Sequence, residues 1–317
     1  MNTFTRKSLY AALAGLGALG ATGTAQAVNV NPDGLGQALI YPYYTTRADS
    51  AGNAYNSLLS VVNSTSSAKA VKVRFLEGKN SREVLDFNLF LSRFDVWTTA
   101  IIPSGTGAKI VTDDRSCTIP QIPAGGVDFV NFAYTGALTD KGGDSLDRTK
   151  EGYVEIIEMA TYDPTTVTWD RITHDPPGDT PPGCADNNDS DAAAEAGAPS
   201  GGLFGGMSLI NVTAGSDFTE DAVALDNFSD TPIYAAAGSI FPTLEFVSPP
   251  VSVVFSTVDV LGVGPATAVV QSAWSTDIDA VSAVLMHDNV LNEFVLDKGT
   301  ASGTDWVLTF PTKRFYI

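Results

Sequence analysis

Apolar and polar residues alternate along the first part of this chain. Over residues 69–77, Val71, Val73 and Phe75 fall on one face and Lys72 and Arg74 on the other. Over 84–91, Leu85, Phe87, Leu89 and Leu91 alternate with Asp86 and Asn88. A period of two marks a strand buried on one face, and Gly78-Lys79-Asn80-Ser81 between the runs reads as their turn. Residues 57–63 (SLLSVVN), 95–102 (DVWTTAII) and 37–46 (QALIYPYYTT) extend the series. Pro42, inside the last of these, predicts an edge strand or a bend. Short strands separated by polar turns predict an antiparallel β-sandwich of immunoglobulin-like type over residues 28–137.

The pattern continues less regularly over 138–317, which reads as a second β-rich portion. Residues 152–160 and 166–172 look like two strands joined at Asp163-Pro164, with later strands at 207–212, 251–260, 267–274 and 305–310. One segment changes period. Over 279–296, Val281, Val284, Leu285, Leu291, Phe294 and Val295 recur at helical intervals, with Asp279 placed to cap the start. A hairpin turning at His287-Asp288-Asn289 competes with that helix. Residues 173–206 are rich in Pro, Gly, Asp, Asn and Ala and predict a long acidic surface loop.

The N-terminus follows neither period. Arg6 and Lys7 precede a short apolar stretch, and Ala25-Gln26-Ala27 has the small-x-small form of a cleavage site. This is the layout of a secretory signal peptide over 1–27, with Val28 expected to begin the mature chain. The stretch is too short to remain as a membrane helix, and no later segment supplies the required run of about 18 apolar residues. No Cys stands at the cleavage site to carry a lipid anchor. The end of the chain, interrupted by Pro311, lacks the alternation of an outer-membrane barrel's last strand.

Charge narrows the range of partners. The chain has 18 basic and 36 acidic residues, a net charge of −18; without Arg6 and Lys7 it keeps 16 basic and 36 acidic, a net charge of −20. Such a chain repels nucleic acid and anionic lipid. The two cysteines, Cys117 and Cys184, are expected to form one disulfide in an oxidising compartment. On the entropic account that bridge is worth about 4 kcal/mol, and it would tether the acidic loop to the sheet. The other use, two free thiols for metal or redox chemistry, has neither a C-x-x-C nor a His cluster beside it.

Catalytic chemistry finds little footing. A Ser-His-Asp set needs a general base, and only His174 and His287 are available, neither near a G-x-S-x-G elbow. There is no H-E-x-x-H and no phosphate-cradling glycine loop. Glu155 and Glu158, three apart on a strand, point to opposite faces, and Glu245 and Glu293 could pair only through the fold. No catalytic residue and no organic cofactor are therefore expected. Calcium is the one cofactor with a candidate site. Asp186, Asn188, Asp189 and Asp191 pack oxygen ligands closely, although the EF-hand positions for Gly and Glu hold Asp191 and Gly197. Residues 140–147 (DKGGDSLD) form a second, less specific oxygen-rich turn. Tyr41, Tyr43, Tyr44 and the four tryptophans (Trp97, Trp169, Trp274 and Trp306) could line a sugar platform, against the usual role of strand aromatics as core.

Residues 29–47 (NVNPDGLGQALIYPYYTTR), 69–92, 279–297 and 304–317 (TDWVLTFPTKRFYI) resemble uncharacterised secreted or surface proteins of proteobacteria. The resemblance spans most of the chain. It implies export, a β-rich surface protein and a chain that runs on past Phe310-Pro311-Thr312-Lys313, and it carries no functional residue with it.

Taken together, these features lead to the expectation of an exported, non-enzymatic structural or adhesive protein. Its expected place is the cell surface or extracellular space, with the periplasm as the alternative, and its partners are cell-surface components or further copies of itself. Self-assembly would proceed by strand exchange, with Leu39, Tyr41 and Tyr43 on the donated strand. A carbohydrate- or ligand-binding module is the alternative, and a carboxylate-based hydrolase a third reading.

Overall fold

The computed structural model describes residues 26–260, 264–287, 290–291, 299 and 305–316. Fifteen strands occur among them: β1 (Asn29–Val30), β2 (Ala38–Thr45), β3 (Asn56–Asn63), β4 (Ala68–Glu77), β5 (Glu83–Leu91), β6 (Val96–Ser104), β7 (Gly107–Val111), β8 (Cys117–Ile119), β9 (Val127–Asp128), β10 (Glu151–Tyr162), β11 (Leu203–Asn211), β12 (Ser216–Asp221), β13 (Val223–Asp226), β14 (Val251–Val260) and β15 (Gly264–Ala273). Three α-helices accompany them: α1 (Val167–Ile172), α2 (Asp189–Ala194) and α3 (Asp277–Leu285). The protein is mostly β, and its sheets are antiparallel. One has the order β1-β13-β2-β10-β4-β5-β8, the second β12-β11-β3-β6-β7-β9, and β14 and β15 form a separate pair.

The first two sheets face each other across the main core. The larger contributes Leu39, Tyr41, Val71, Val73, Phe75 and Phe87, and the smaller Leu59, Val61, Trp97, Ile101, Ile110 and Met207. Val71, Val73, Phe75 and Phe87 are apolar positions of the alternating runs, so the inward faces read there are the ones that pack. The partition is different. β10, β11, β12 and β13 all lie beyond residue 137 yet sit within the two sheets, and β10 joins β2 to β4. Residues 28–137 therefore share their sheets with later strands and do not close a smaller immunoglobulin-like unit by themselves.

Pro42 does not mark an edge strand, because β2 lies between β13 and β10. Pairing with β13 covers only Ala38 to Ile40, and the β10 ladder slips between Gly152 and Val154 opposite Pro42 and Tyr43. Proline is thus accommodated at a β-bulge, where its missing N–H interrupts nothing. Gly152 sits at the same place for a steric reason: a Cβ there would lie 1.9 Å from the Leu76 carbonyl oxygen.

The outward face of the larger sheet is not solvated, although Lys72, Arg74, Asp86 and Asn88 alternate onto it. All of β4 is buried. The cover comes from later residues. One apolar cluster joins Ile40, Leu76, Tyr153 and Ile157 to Phe228, Leu244 and helix α3. Another joins Ala70, Phe90 and Tyr162 to Trp169, Ile172 and Ala192 of α1 and α2. Between them Lys72 donates to Asp86 at 3.1 Å and to the carbonyls of Ala236 and Ser239, while Asn88 donates to Ala235. Polar alternation here reports buried pairing rather than solvent.

Three further elements depart from the sequence pattern. Residues 166–172, read as a strand, form α1. Thr166 Oγ1 accepts from Trp169 N, Glu195 accepts from the amides of Val167 and Thr168, and these bonds satisfy the first turn. Residues 305–310 join no ladder; Thr309 instead donates its hydroxyl to the carbonyl of Pro42, beside the bulge. The helix expected over 279–296 begins at Asp277, behind Thr276, and ends at Leu285. Residues 292–296, and Asp288-Asn289 of the competing hairpin, lie outside the described residues, as do residues 1–25 of the 1–27 leader. The 173–206 loop holds a 3-10 turn (Cys184–Asp186), α2 and the first residues of β11. Cys117 and Cys184 are joined in the expected disulfide, with Cα atoms 5.2 Å apart. Among the described residues no helix is long and apolar enough to cross a membrane.

Candidate functional site

The bulge in β2 also builds a cleft. It shifts the alternation by one residue, so that Tyr41 and Tyr44, three apart, both enter the core while Tyr43 turns out. Next to it lies the β4–β5 turn, pinned by Glu77, whose carboxylate accepts from the amides of Lys79, Asn80 and Arg82. Across the turn runs the 305–316 segment, held at one end by Thr309 on Pro42 and at the other by Tyr316, whose hydroxyl donates to Asp279 of α3 at 2.6 Å. Two lobes result, sharing Asn80, Ser81 and Arg314. One, of about 400 Å³, has Tyr43 and Trp306 on its walls. The other, of about 600 Å³, has Phe132, Phe241 and Phe315 on its walls and Arg74 and Glu83 on its floor. Both sizes fall in the usual range for small-ligand pockets.

Charge on the floor is paired but not saturated. Arg74 Nη1 donates to Glu155 Oε2 at 2.6 Å and Arg74 Nε to Glu83 Oε2 at 2.9 Å. Arg314 Nη2 stands 3.6 Å from the same Glu155 oxygen, and its guanidinium lies over the Phe315 ring at 4.6 Å. The second oxygen of each glutamate, and Nε and Nη2 of Arg314, have no hydrogen-bond partner among the described residues. Burial pushes the Glu83 carboxyl above its ordinary range, against the pull of Arg74. Such half-satisfied buried groups are costly.

The residues singled out in the sequence are dispersed. Leu39 and Tyr41 are core residues of an internal strand and Tyr43 lines the cleft, so β2 is already paired within its own chain. The four calcium candidates do not converge on an ion. Asn188 caps α2 by accepting from Asp191 N, and Asp191 receives Arg171 Nη1 at 2.6 Å. Asp189 accepts from Tyr234 OH, Asn88 and Ala237 N, and Asp186 lies in the preceding 3-10 turn. The side-chain oxygens of Asn188, Asp189 and Asp191 thus accept bonds from within the fold of this loop and its neighbours. In the other oxygen-rich turn, Asp140 pairs with Arg148 and Asp147 with Arg47 and Lys150. Among the described residues no three or more His, Cys, Asp or Glu side chains are grouped to hold a metal ion.

His174 stands 3.3 Å from Asp95, and His287 is exposed. Glu155 and Glu158 do point to opposite faces: Glu155 meets Arg74 on the outer face, and Glu158 meets Lys69 at 2.6 Å at the sandwich end. Glu245 borders the larger lobe, while Glu293 lies outside the described residues. Trp97 and Trp169 are buried, Trp274 is half-buried, and Trp306 is 52 % exposed at the cleft.

Glu83 and Arg314 carried no motif in the sequence. The one available signal was the charged outward face of β4, which cannot be told from a solvated face by period alone. Comparison of the chain with protein-family models, with curated proteins and with solved structures found no match in any of the three.

Proposed function

We propose that this chain is an exported, non-enzymatic protein of the cell surface or extracellular space, structural or adhesive in role, which assembles with further copies of itself through the β14–β15 ribbon. Export is supported by the leader-like composition of residues 1–27 and is compatible with the disulfide. The ribbon carries the assembly reading. Its ten-residue strands reach about 33 Å, and among the described residues its only further backbone bridge is Val28 to Ser252 at the base of β14. Phe255 and Val269 face each other across it at 56 % and 44 % exposure, and Val270 is 54 % exposed. A lone two-stranded ribbon is marginal in water and invites a further strand.

Charge favours a second copy as that partner. The edge strand β12 (SDFTED) carries three acids, a guard against strand addition, whereas β15 (GPATAVVQSA) carries no charge at all. Two copies of so acidic a chain repel over most of their surfaces, and identical neutral edges can meet antiparallel about a two-fold axis. Light scattering across a concentration series tests this. The purified protein is expected to form dimers or larger species that Val270→Lys and Val269→Lys shift toward monomer. A monomer at every concentration refutes it, and imaging of fractionated cells tests the surface location.

A further inference from the structure

We infer that the two-lobed cleft between the β4–β5 turn and the 305–316 segment is a binding site for a neutral saccharide. This is independent of the ribbon. The Glu83 side chain is 7 % exposed, lines the larger lobe and keeps Oε1 without a donor among the described residues. Nε and Nη2 of Arg314 are without a hydrogen-bond acceptor among the described residues. One lobe therefore needs a hydrogen bond given and a hydrogen bond taken, within reach of one floor.

The net charge of that floor selects the ligand. Arg74 and Arg314 balance Glu83 and Glu155 on the floor, and on the walls Lys79, Arg82, Lys141 and Lys313 stand among Asp140, Glu151 and Glu245, so the cleft is close to neutral and offers an ion little net charge. A hydroxyl meets both needs without bringing charge: its O–H donates to a glutamate oxygen, and its lone pair accepts from a guanidinium N–H. Adjacent hydroxyls on a sugar ring present these functions side by side. The aromatic walls suit the apolar C–H faces of the same ring, with Trp306 and Tyr43 in one lobe and Phe132 and Phe241 in the other. The lobes meet at Arg314, so an oligosaccharide placing successive rings in each is accommodated better than a single sugar. A free amino acid also has zero net charge, but its ammonium and carboxylate would use only the floor and leave the Trp306 lobe unfilled.

The test is titration of the full chain, monitored by Trp fluorescence and calorimetry, with linear neutral glucan, galactan and chitin oligosaccharides and with leucine and phenylalanine as free amino acids. At least one oligosaccharide series is expected to bind saturably and to bind more tightly as it lengthens. Glu83→Gln and Arg314→Met are each expected to weaken it about tenfold. Trp306→Ala, at an exposed position that leaves the core intact, is expected to remove the gain with length. Binding of none of the oligosaccharides overturns the inference, as does binding that survives all three substitutions, or binding of the amino acids alone.

Discussion

Arg148→Met removes one guanidinium that ties two parts of the chain together, and its cost can be worked from the geometry. The Arg148 side chain is 1 % exposed and pairs with Glu77 at 3.0 Å and Asp140 at 2.7 Å. It also donates to Gly143 O and lies over the Tyr134 ring at 4.0 Å. Methionine keeps the stem's packing and removes the charge. Stripping one partner from a buried pair costs about 3–5 kcal/mol. Glu77 retains three backbone donors and Asp140 is near enough to solvent to rehydrate, so about 3 kcal/mol is expected, or about 6–12 °C in Tm for a chain of this size.

The substitution also has a pH signature. Arg148 hydrogen bonds hold the Asp140 carboxyl well below the usual range. Burial pushes Glu77 upward, but Arg148 and the amides of Arg82, Asn80 and Lys79 outweigh it and leave Glu77 lowered as well. A depressed carboxylate contributes stability above its unfolded value, near pH 4, and loses it as pH falls through the folded value. The gap between wild type and variant should therefore be widest at neutral pH, begin to narrow near pH 4, and shrink further as pH falls toward the depressed folded values. Urea unfolding monitored by Trp fluorescence at neutral and acid pH measures it. A loss under about 1 kcal/mol, or a gap unchanged by acid, refutes the reasoning.

Two further outcomes are expected. Lys69→Met should cost about 3 kcal/mol, because it leaves the buried Glu158 carboxylate with only the amides of Ser200 and Gly201 as donors, where burial already raises its pKa; Lys69→Met with Glu158→Gln, which removes the charge and keeps an acceptor for those amides, should recover part of that loss in urea unfolding, and a double variant as unstable as the single one would contradict the pairing account. Cys117→Ser with Cys184→Ser should cost about 4 kcal/mol on the entropic account and expose Trp169, read as a shift in Trp emission that an unchanged spectrum would contradict.

Legibility tracked the range of the interaction. The alternation in β4 and β5 and the turn between them depend on neighbouring residues, so their elements and inward faces were readable. What lay against the outward faces depends on residues more than a hundred positions away, so Lys72 and Arg74 read as solvated when they are covered. Residues 166–172 have strand composition, but capping by Thr166 and the distant Glu195 makes them α1. The cleft was least legible. It needs a one-residue bulge to turn Tyr43 outward, Glu83 left half-paired, and Arg314 brought in by the anchoring of Tyr316. The disulfide was readable because two cysteines leave one pairing.

The buried charges on the outward face of the larger sheet have a consequence for the order in which the chain matures. β4 and β5 are made long before α3 and the 305–316 segment that cover them, and β10, which joins β4 to β2, comes between. A purely apolar outer face would leave an early hairpin sticky on both sides while synthesis continued. Lys72, Arg74, Asp86 and Asn88 give that nascent face something for water to hold until its cover arrives. Only then do the same groups exchange water for one another. Residues that read as surface in the sequence are, for part of the chain's life, surface in fact.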